Sequence, residues 1–164
     1  MIEASLFRES MSRLGAAVTL IATDGPAGRH GFTASAVCSV TDTPPTLLIC
    51  MNRSVSSHAD FMANGVLSVN VLAGAHEMLS NTFANRSVSM SDRFGATTWS
   101  AGLTGAPLLH GAAASFDCRI SEVSEIGTHS VLFCEIRQIV LGDAVPDALL
   151  WCSRGYHRLP LRSA

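Results

Sequence analysis

The chain contains no lysine: all 11 of its basic side chains are arginines, set against 13 acidic ones for a net charge of −2 over 164 residues. Charged residues make up only 15% of it, so no basic face for nucleic acid and no polybasic patch for an anionic membrane is expected. No cationic segment leads into a long apolar stretch, so no secretory signal is visible. The five cysteines (Cys38, Cys50, Cys118, Cys134, Cys152) show no CxxC spacing, which leaves zinc and dithiol chemistry without their usual frame. Reduced, mostly buried thiols in a cytoplasmic protein are expected instead. His30, His58, His76 and His110 are scattered, with no HxH or HExxH pattern, so no metal site is expected. GxGxxG, the Walker loop and GxSxG are all missing. A dinucleotide, if one binds, is therefore not held by the glycine turn of a doubly wound sheet.

What is present is a hydrophobic content of 48% in a length that suits one domain, residues 1–164, able to build a core without metals or disulfides. So little charged surface also implies that part of it is covered by a partner, which points to an oligomer.

The organising stretch runs from Gly31 to Phe61. Residues 33–40 are small and β-branched and read as a strand. Thr41-Asp42-Thr43 before Pro44-Pro45 is a turn, because each proline fixes its own φ and the first pushes Thr43 out of the helical region. TLLICM (46–51) is a buried strand, and Ser57 caps a helix beginning HADF. Two readings stand side by side. One is an ordinary strand pair with a capped helix. The other is a small-residue strand open to a flat ligand, followed by a hydroxyl-rich anion cradle with Arg53.

Along the rest of the chain, residues 5–14 form an amphipathic helix with Leu6, Phe7, Met11 and Leu14 on its apolar side. Residues 16–23 are a strand in a hairpin with the one starting near Gly31. A helix over 57–63 stops at Asn64-Gly65. Residues 66–72 alternate as a strand, within which Asn70 is a structural hydrogen-bonding residue. Residues 74–83 form a second helix with Met78, Leu79 and Phe83 clustered. Within residues 84–107 Asp92-Arg93-Phe94 reads as a short turn or helix end and the remainder as a long ordered loop, followed by strands over 108–120, 121–126 and 131–136 and a loop over 141–147. His129, in the Gly127-Thr128-His129-Ser130 break, is either a surface turn or a site residue. Tyr156 and His157 between Arg154 and Arg158 are either a surface segment or a patch for a phosphate or ring. Strands outnumber helices and the helices fall between strand pairs, which favours a closed antiparallel barrel.

The phrases GFTASAVCSVTDTPPTLLICMN, NVLAGAHEMLSNTFA and GTH before an apolar strand, with a terminal YH, resemble the flavin-reductase-like family along essentially the whole chain. Within that family GPAGRHGFTASAVCSVTDTPPTLLIC most resembles the NADH-dependent FMN reductases of pyrimidine-ring utilisation, with aromatic-hydroxylase reductases as close cousins. The resemblance implies a mainly β fold, the FMN-binding split β-barrel (a Greek-key antiparallel barrel) with short covering helices. It implies NADH:FMN hydride transfer, with NADPH open as donor, and reduced FMN diffusing to a separate flavin-dependent monooxygenase. It also implies a homodimer. By position, Thr33, Ala34, Ser35 and Ala36 would carry the flavin ring, flanked by Ser39 and Val40. Asn52, Ser54 and Ser57 would take the ribityl phosphate, helped by Arg53 or Arg86, with Phe83 a further contact. His129 would be catalytic, and Tyr156 and His157 would close the nicotinamide side. Two other classes remain: a pyridoxamine-phosphate-type oxidase, which the lack of lysine disfavours, and a non-catalytic flavin- or haem-binding barrel.

Overall fold

The computed structural model describes residues 2–143 and 145–161; Ala144, inside the expected loop 141–147, lies outside them. Seven strands form one antiparallel sheet: β2 (Thr19–Thr23), β3 (His30–Ala34), β4 (Val37–Asp42), β5 (Pro45–Asn52), β6 (Val66–Val71), β9 (Ala114–Ile126) and β10 (His129–Leu141). Their order across the sheet is β3-β2-β6-β9-β10-β5-β4. β3 and β4 thus lie at opposite edges, yet only Ser35 and Ala36 separate them in sequence. Three peptide steps reach about 11 Å, whereas six strand spacings in a flat sheet come to about 29 Å. The sheet must therefore curl until its edges meet, and the Ser35-Ala36 link stitches the seam. Ala36 O accepts from Cys50 N at 3.0 Å on the far side of that seam. The strand expected over residues 33–40 is thus two strands, split where the chain crosses the barrel.

A second sheet of β1 (Ala16–Ala17), β11 (Asp147–Cys152) and β12 (Gly155–Pro160) lies beside the barrel. The strand expected over 16–23 breaks at Val18, whose N–H donates to Leu149 O at 2.9 Å and whose carbonyl accepts from Leu72 N at 3.0 Å. This bridging residue ties the two sheets together.

The core has two parts, and β2, buried at every position, separates them. Ile21, Ile49, Met51, Phe61, Leu67 and Leu132 fill the barrel. Leu20, Leu72, Phe83, Phe94, Leu109 and Leu149 pack outside it, beneath the covering helices. Those over the outer cluster are α3 (Glu77–Ala84, entered through a 3-10 turn at Gly74–His76) and α4 (Met90–Gly95), whereas α2 (His58–Asn64) packs Phe61 into the barrel. α2 stops at Gly65, which adopts φ 64° as expected. In α3 Leu79 and Phe83 are buried, but Met78 is exposed. The expected loop 84–107 holds α4, capped by Ser89 Oγ accepting from Asp92 N, and β7 (Trp99–Ala101), which pairs with β8 (Pro107–Leu109). The amino-terminal helix α1 (Ala4–Ser12) buries none of its residues: Leu6, Phe7, Met11 and the following Leu14 are all exposed.

Of the five thiols only Cys118 and Cys134 are buried, fewer than expected, because β4 and the β11 end face outward. Burial pushes the Cys134 thiol up to about 12 and Cys118 higher still, with the charges of Cys134 and Asp117 adding to burial at Cys118. A thiol disulfide reagent at about pH 8 should label Cys38, Cys50 and Cys152 in the native protein and reach the other two only after denaturation; immediate labelling of all five would contradict the burial. Because both folded-state values are raised, the unfolded chain loses these protons first. Their stabilising contribution is complete below about pH 9 and falls as pH rises toward 12.

Candidate functional site

Along β3 and the Ser35-Ala36 seam runs a groove made of three adjoining cavities of about 340, 310 and 720 Å3. The first and second share Thr33 and Ala84, and the second and third share Ser35 and Trp151. Small side chains floor the groove because the sequence there is GFTASA, so the backbone lies near its surface. Gly31 is required for a packing reason. A Cβ there would sit 2.8 Å from Phe83 Cε1 and 3.2 Å from Ile21 O, so α3 can close on β3 only over a bare backbone. Thr33 fastens the other contact, its hydroxyl donating to Ser80 O at 2.7 Å.

The first cavity is walled by the loop Ser54–Ser57 on one side and by Phe83, Arg86, Met90 and Arg93 on the other. Ser57 Oγ is buried here and has no hydrogen-bond partner among the described residues. A buried hydroxyl left unpaired carries a desolvation cost, so an acceptor or donor brought into this cavity would relieve it. The expected side-chain cap is thus not formed: the Ser57 hydroxyl makes no bond to α2, and only its carbonyl accepts, from Asp60 N and Phe61 N, both at 3.1 Å. Arg53 is also not free for an anion, since Nη1 donates to Glu125 Oε2 at 2.8 Å and Nη2 to Gly127 O. Arg86 is the guanidinium at the cavity edge. Arg93, 6% exposed, donates to Gly31 O, Val88 O and Asn85 O, and so pins the loop that carries Arg86. Burial lowers the Arg93 pKa from its ordinary value.

The second cavity is bounded by Tyr156, whose hydroxyl donates to Asn81 Oδ1 at 3.0 Å and lies 2.9 Å from Ser80 Oγ. Its ring meets Trp151 edge-on with centroids 4.9 Å apart. Two hydrogen bonds and an aromatic contact make this wall rigid. The third cavity opens toward α1, with Ala36, Cys38, Cys50, Arg8 and Arg154 among its lining.

Of the residues singled out in the sequence, the fold gathers Thr33, Ala34, Ser35, Ala36, Ser54, Ser57, Phe83 and Tyr156 along this groove. Others lie off it. Ser39 lines a separate cavity at the barrel mouth, and Val40 is exposed. Asn52 stands behind the loop, its Oδ1 accepting from Ser54 N at 2.9 Å. His157 is exposed, with Nε2 3.1 Å from Cys152 O. His129 pairs with Asn52 across β5 and β10 and has Nδ1 2.9 Å from Thr128 Oγ1, outside all three cavities. Among the lining residues missed are Asn81, Ala84, Met90, Arg93 and Trp151. They come from α3, α4 and β11, distant in sequence from β3, and no local pattern marks them.

The flavin reductase like domain matches residues 11–160. This chain belongs to the flavin-reductase-like family. It is 56% identical over 153 residues to the FMN reductase (NADH) RutF of Stutzerimonas stutzeri strain A1501, covering 93% of this chain and 87% of that protein. Among solved structures it superposes on BorF, the flavin reductase component of a bacterial two-component tryptophan halogenase, with TM-score 0.89 and 29% identity over 98% of this chain and all 100% of that one. It also superposes on the Streptomyces globisporus NADH:FAD oxidoreductase SgcE6 in complex with NAD and FAD fragments, with TM-score 0.87 and 27% identity over 96% and 93% of the two chains. The family's split barrel explains the arrangement in physical terms. Closing a sheet through a two-residue link leaves a short, small-residue segment exposed, and the covering helices α3 and α4 turn that segment into a groove.

Proposed function

We propose that the protein is an NADH:FMN oxidoreductase that releases reduced FMN to a separate flavin-dependent monooxygenase, the pyrimidine ring-opening oxygenase. The observation that carries this reading is the groove itself, with a bare floor of small residues ending in a cavity that holds the unpartnered Ser57 hydroxyl and Arg86. Similarity to FMN reductases (NADH) at 56% identity supports the donor and the acceptor. Bound FMN supplies the hydride-accepting ring and NADH the hydride.

The chain's own part is placement. Thr33 to Ala36 accommodate a flat ring because their side chains are short. Ser54, Ser57 and Arg86 receive the phosphate, and the rigid Trp151–Tyr156 wall limits where a second ring can stack. With few charges at the phosphate end, the flavin is held loosely enough to leave after turnover. His129 is assigned the catalytic role by family likeness, and Asn52, Ser39, Val40 and His157 supporting ones. A homodimer suits the exposed apolar face of α1. A reductase of aromatic (4-hydroxyphenylacetate-type) hydroxylation is the second reading, favoured by the structural likeness to two-component reductases.

The test is steady-state NADH oxidation by the purified protein with FMN, FAD or riboflavin. The rate should saturate with FMN and nearly vanish without flavin, and His129→Ala should lower turnover while FMN binding stays intact. FMN binding with no NADH oxidation would leave a binding module, and the enzyme reading would fall.

A further inference from the structure

The loop that lines the phosphate end of the groove is closed into a ring of hydrogen bonds. Arg53 Nη1 donates to Glu125 Oε2 at 2.8 Å. Ser130 Oγ donates to the other carboxylate oxygen, Glu125 Oε1, also at 2.8 Å. His58 Nε2 lies 2.8 Å from the same Ser130 Oγ. The backbone 53–58 completes the circuit, and it contains Ser54 and the unpartnered Ser57. Arg53 N also donates to Thr128 O at 3.0 Å, so the loop and the 125–130 hairpin are joined by main chain as well.

We infer that Glu125, Ser130 and His58 are positioning residues that set the Ser54–Ser57 loop for binding the flavin phosphate, each acting through the next around this ring. The inference rests on the FMN reductase reading. Three features support it. Glu125 uses both carboxylate oxygens on groups that flank the loop, one at each end. Ser130 is fully buried, so water does not reach its hydroxyl to replace either partner. His58 directly follows Ser57, so holding the imidazole on Ser130 also holds the backbone that carries the cavity hydroxyl.

The ring also dictates proton positions. The single Ser130 hydroxyl hydrogen goes to a carboxylate, which only accepts, so the hydrogen in the His58–Ser130 bond is on His58 Nε2. The serine sits between acid and histidine and is buried, which separates this chain from a nucleophilic triad, where histidine is the middle member.

Two variants test the inference. In Glu125→Gln the new carboxamide can keep both bonds only with its oxygen on Arg53, a pure donor, and its NH2 on Ser130. Ser130 then donates to His58, and the neutral imidazole switches from Nε2–H to Nδ1–H. Long-range proton–nitrogen NMR of His58 reads this switch directly. In Ser130→Ala the ring opens, and the FMN Kd should rise about tenfold while that for riboflavin stays within about twofold. An Nδ1–H tautomer already present in the unsubstituted protein would overturn the ring. Equal losses for FMN and riboflavin, or no loss for either, would overturn its positioning role. If the unsubstituted protein binds no FMN, the reductase reading falls and takes the phosphate role with it, while the NMR result still decides whether the ring exists. Glu125 is half-exposed, so the Gln variant remains informative if Ser130→Ala does not fold.

Discussion

Asn70→Ala lowers folding stability by about 3–5 kcal/mol, the range of a broken buried hydrogen-bond network. Asn70 is fully buried on β6. Its Oδ1 accepts from Leu109 N and Ser115 Oγ, both at 2.8 Å. Its Nδ2 donates to Ser68 Oγ at 2.9 Å and to Leu20 O at 3.2 Å. One amide thus joins β2, β6, β8 and β9, where the β7–β8 hairpin docks on the barrel. Truncation strands the Leu109 N–H and the Ser115 hydroxyl without water, and each such loss costs about 1–3 kcal/mol. Set against a total of about 5–15 kcal/mol for a domain, this is a large fraction. Urea or thermal denaturation checks it, and a loss under about 1 kcal/mol would mean that the network relaxes or recruits water.

Arg86→Ala weakens FMN binding by about 10- to 100-fold, as expected for loss of a charge-assisted contact to phosphate. Riboflavin, which lacks the phosphate, should bind the variant and the unsubstituted protein alike. Arg86→Lys should recover part of the affinity, since it keeps the charge and loses the planar fork. The Arg86 contribution should also shrink as salt is raised, because the side chain is exposed at the cavity edge. Fluorescence titration of both flavins decides the matter. Equal weakening for FMN and riboflavin would place the effect on the cavity shape, and no weakening would remove Arg86 from the phosphate site. Turnover at saturating FMN should change little, because the role proposed for Arg86 is in binding.

A closed antiparallel barrel and most of its strands were legible in the residues, because period-two alternation and proline turns are local signals; that it is the split barrel came from the resemblance to the family. Asn70 was legible as a structural residue for a similar reason, a polar side chain inside an apolar strand pattern. The small-residue floor of the groove and the hydroxyls of the Ser54–Ser57 loop could also be read from their composition. Residues 84–107 were not: α4 and β7–β8 are short, and they are held by Arg93, Trp99 and Phe94 packing on distant parts of the chain rather than by their own periodicity.

Composition and local pattern were enough to specify a mainly β chain with an open, hydroxyl-rich segment, and the resemblance of whole phrases supplied the family. Which arginine faces the cavity was decided in three dimensions. Arg53 is next to the serines in sequence, yet Glu125, 72 residues away, takes it up. Arg86 reaches the cavity edge because buried Arg93 ties its loop to Gly31, 62 residues earlier. A charged side chain's partner depends on which carboxylates and carbonyls the fold brings within about 3 Å, and sequence distance has no bearing on that. The break of one predicted strand at Ser35-Ala36 has the same origin. No local preference demands it, and only barrel closure does.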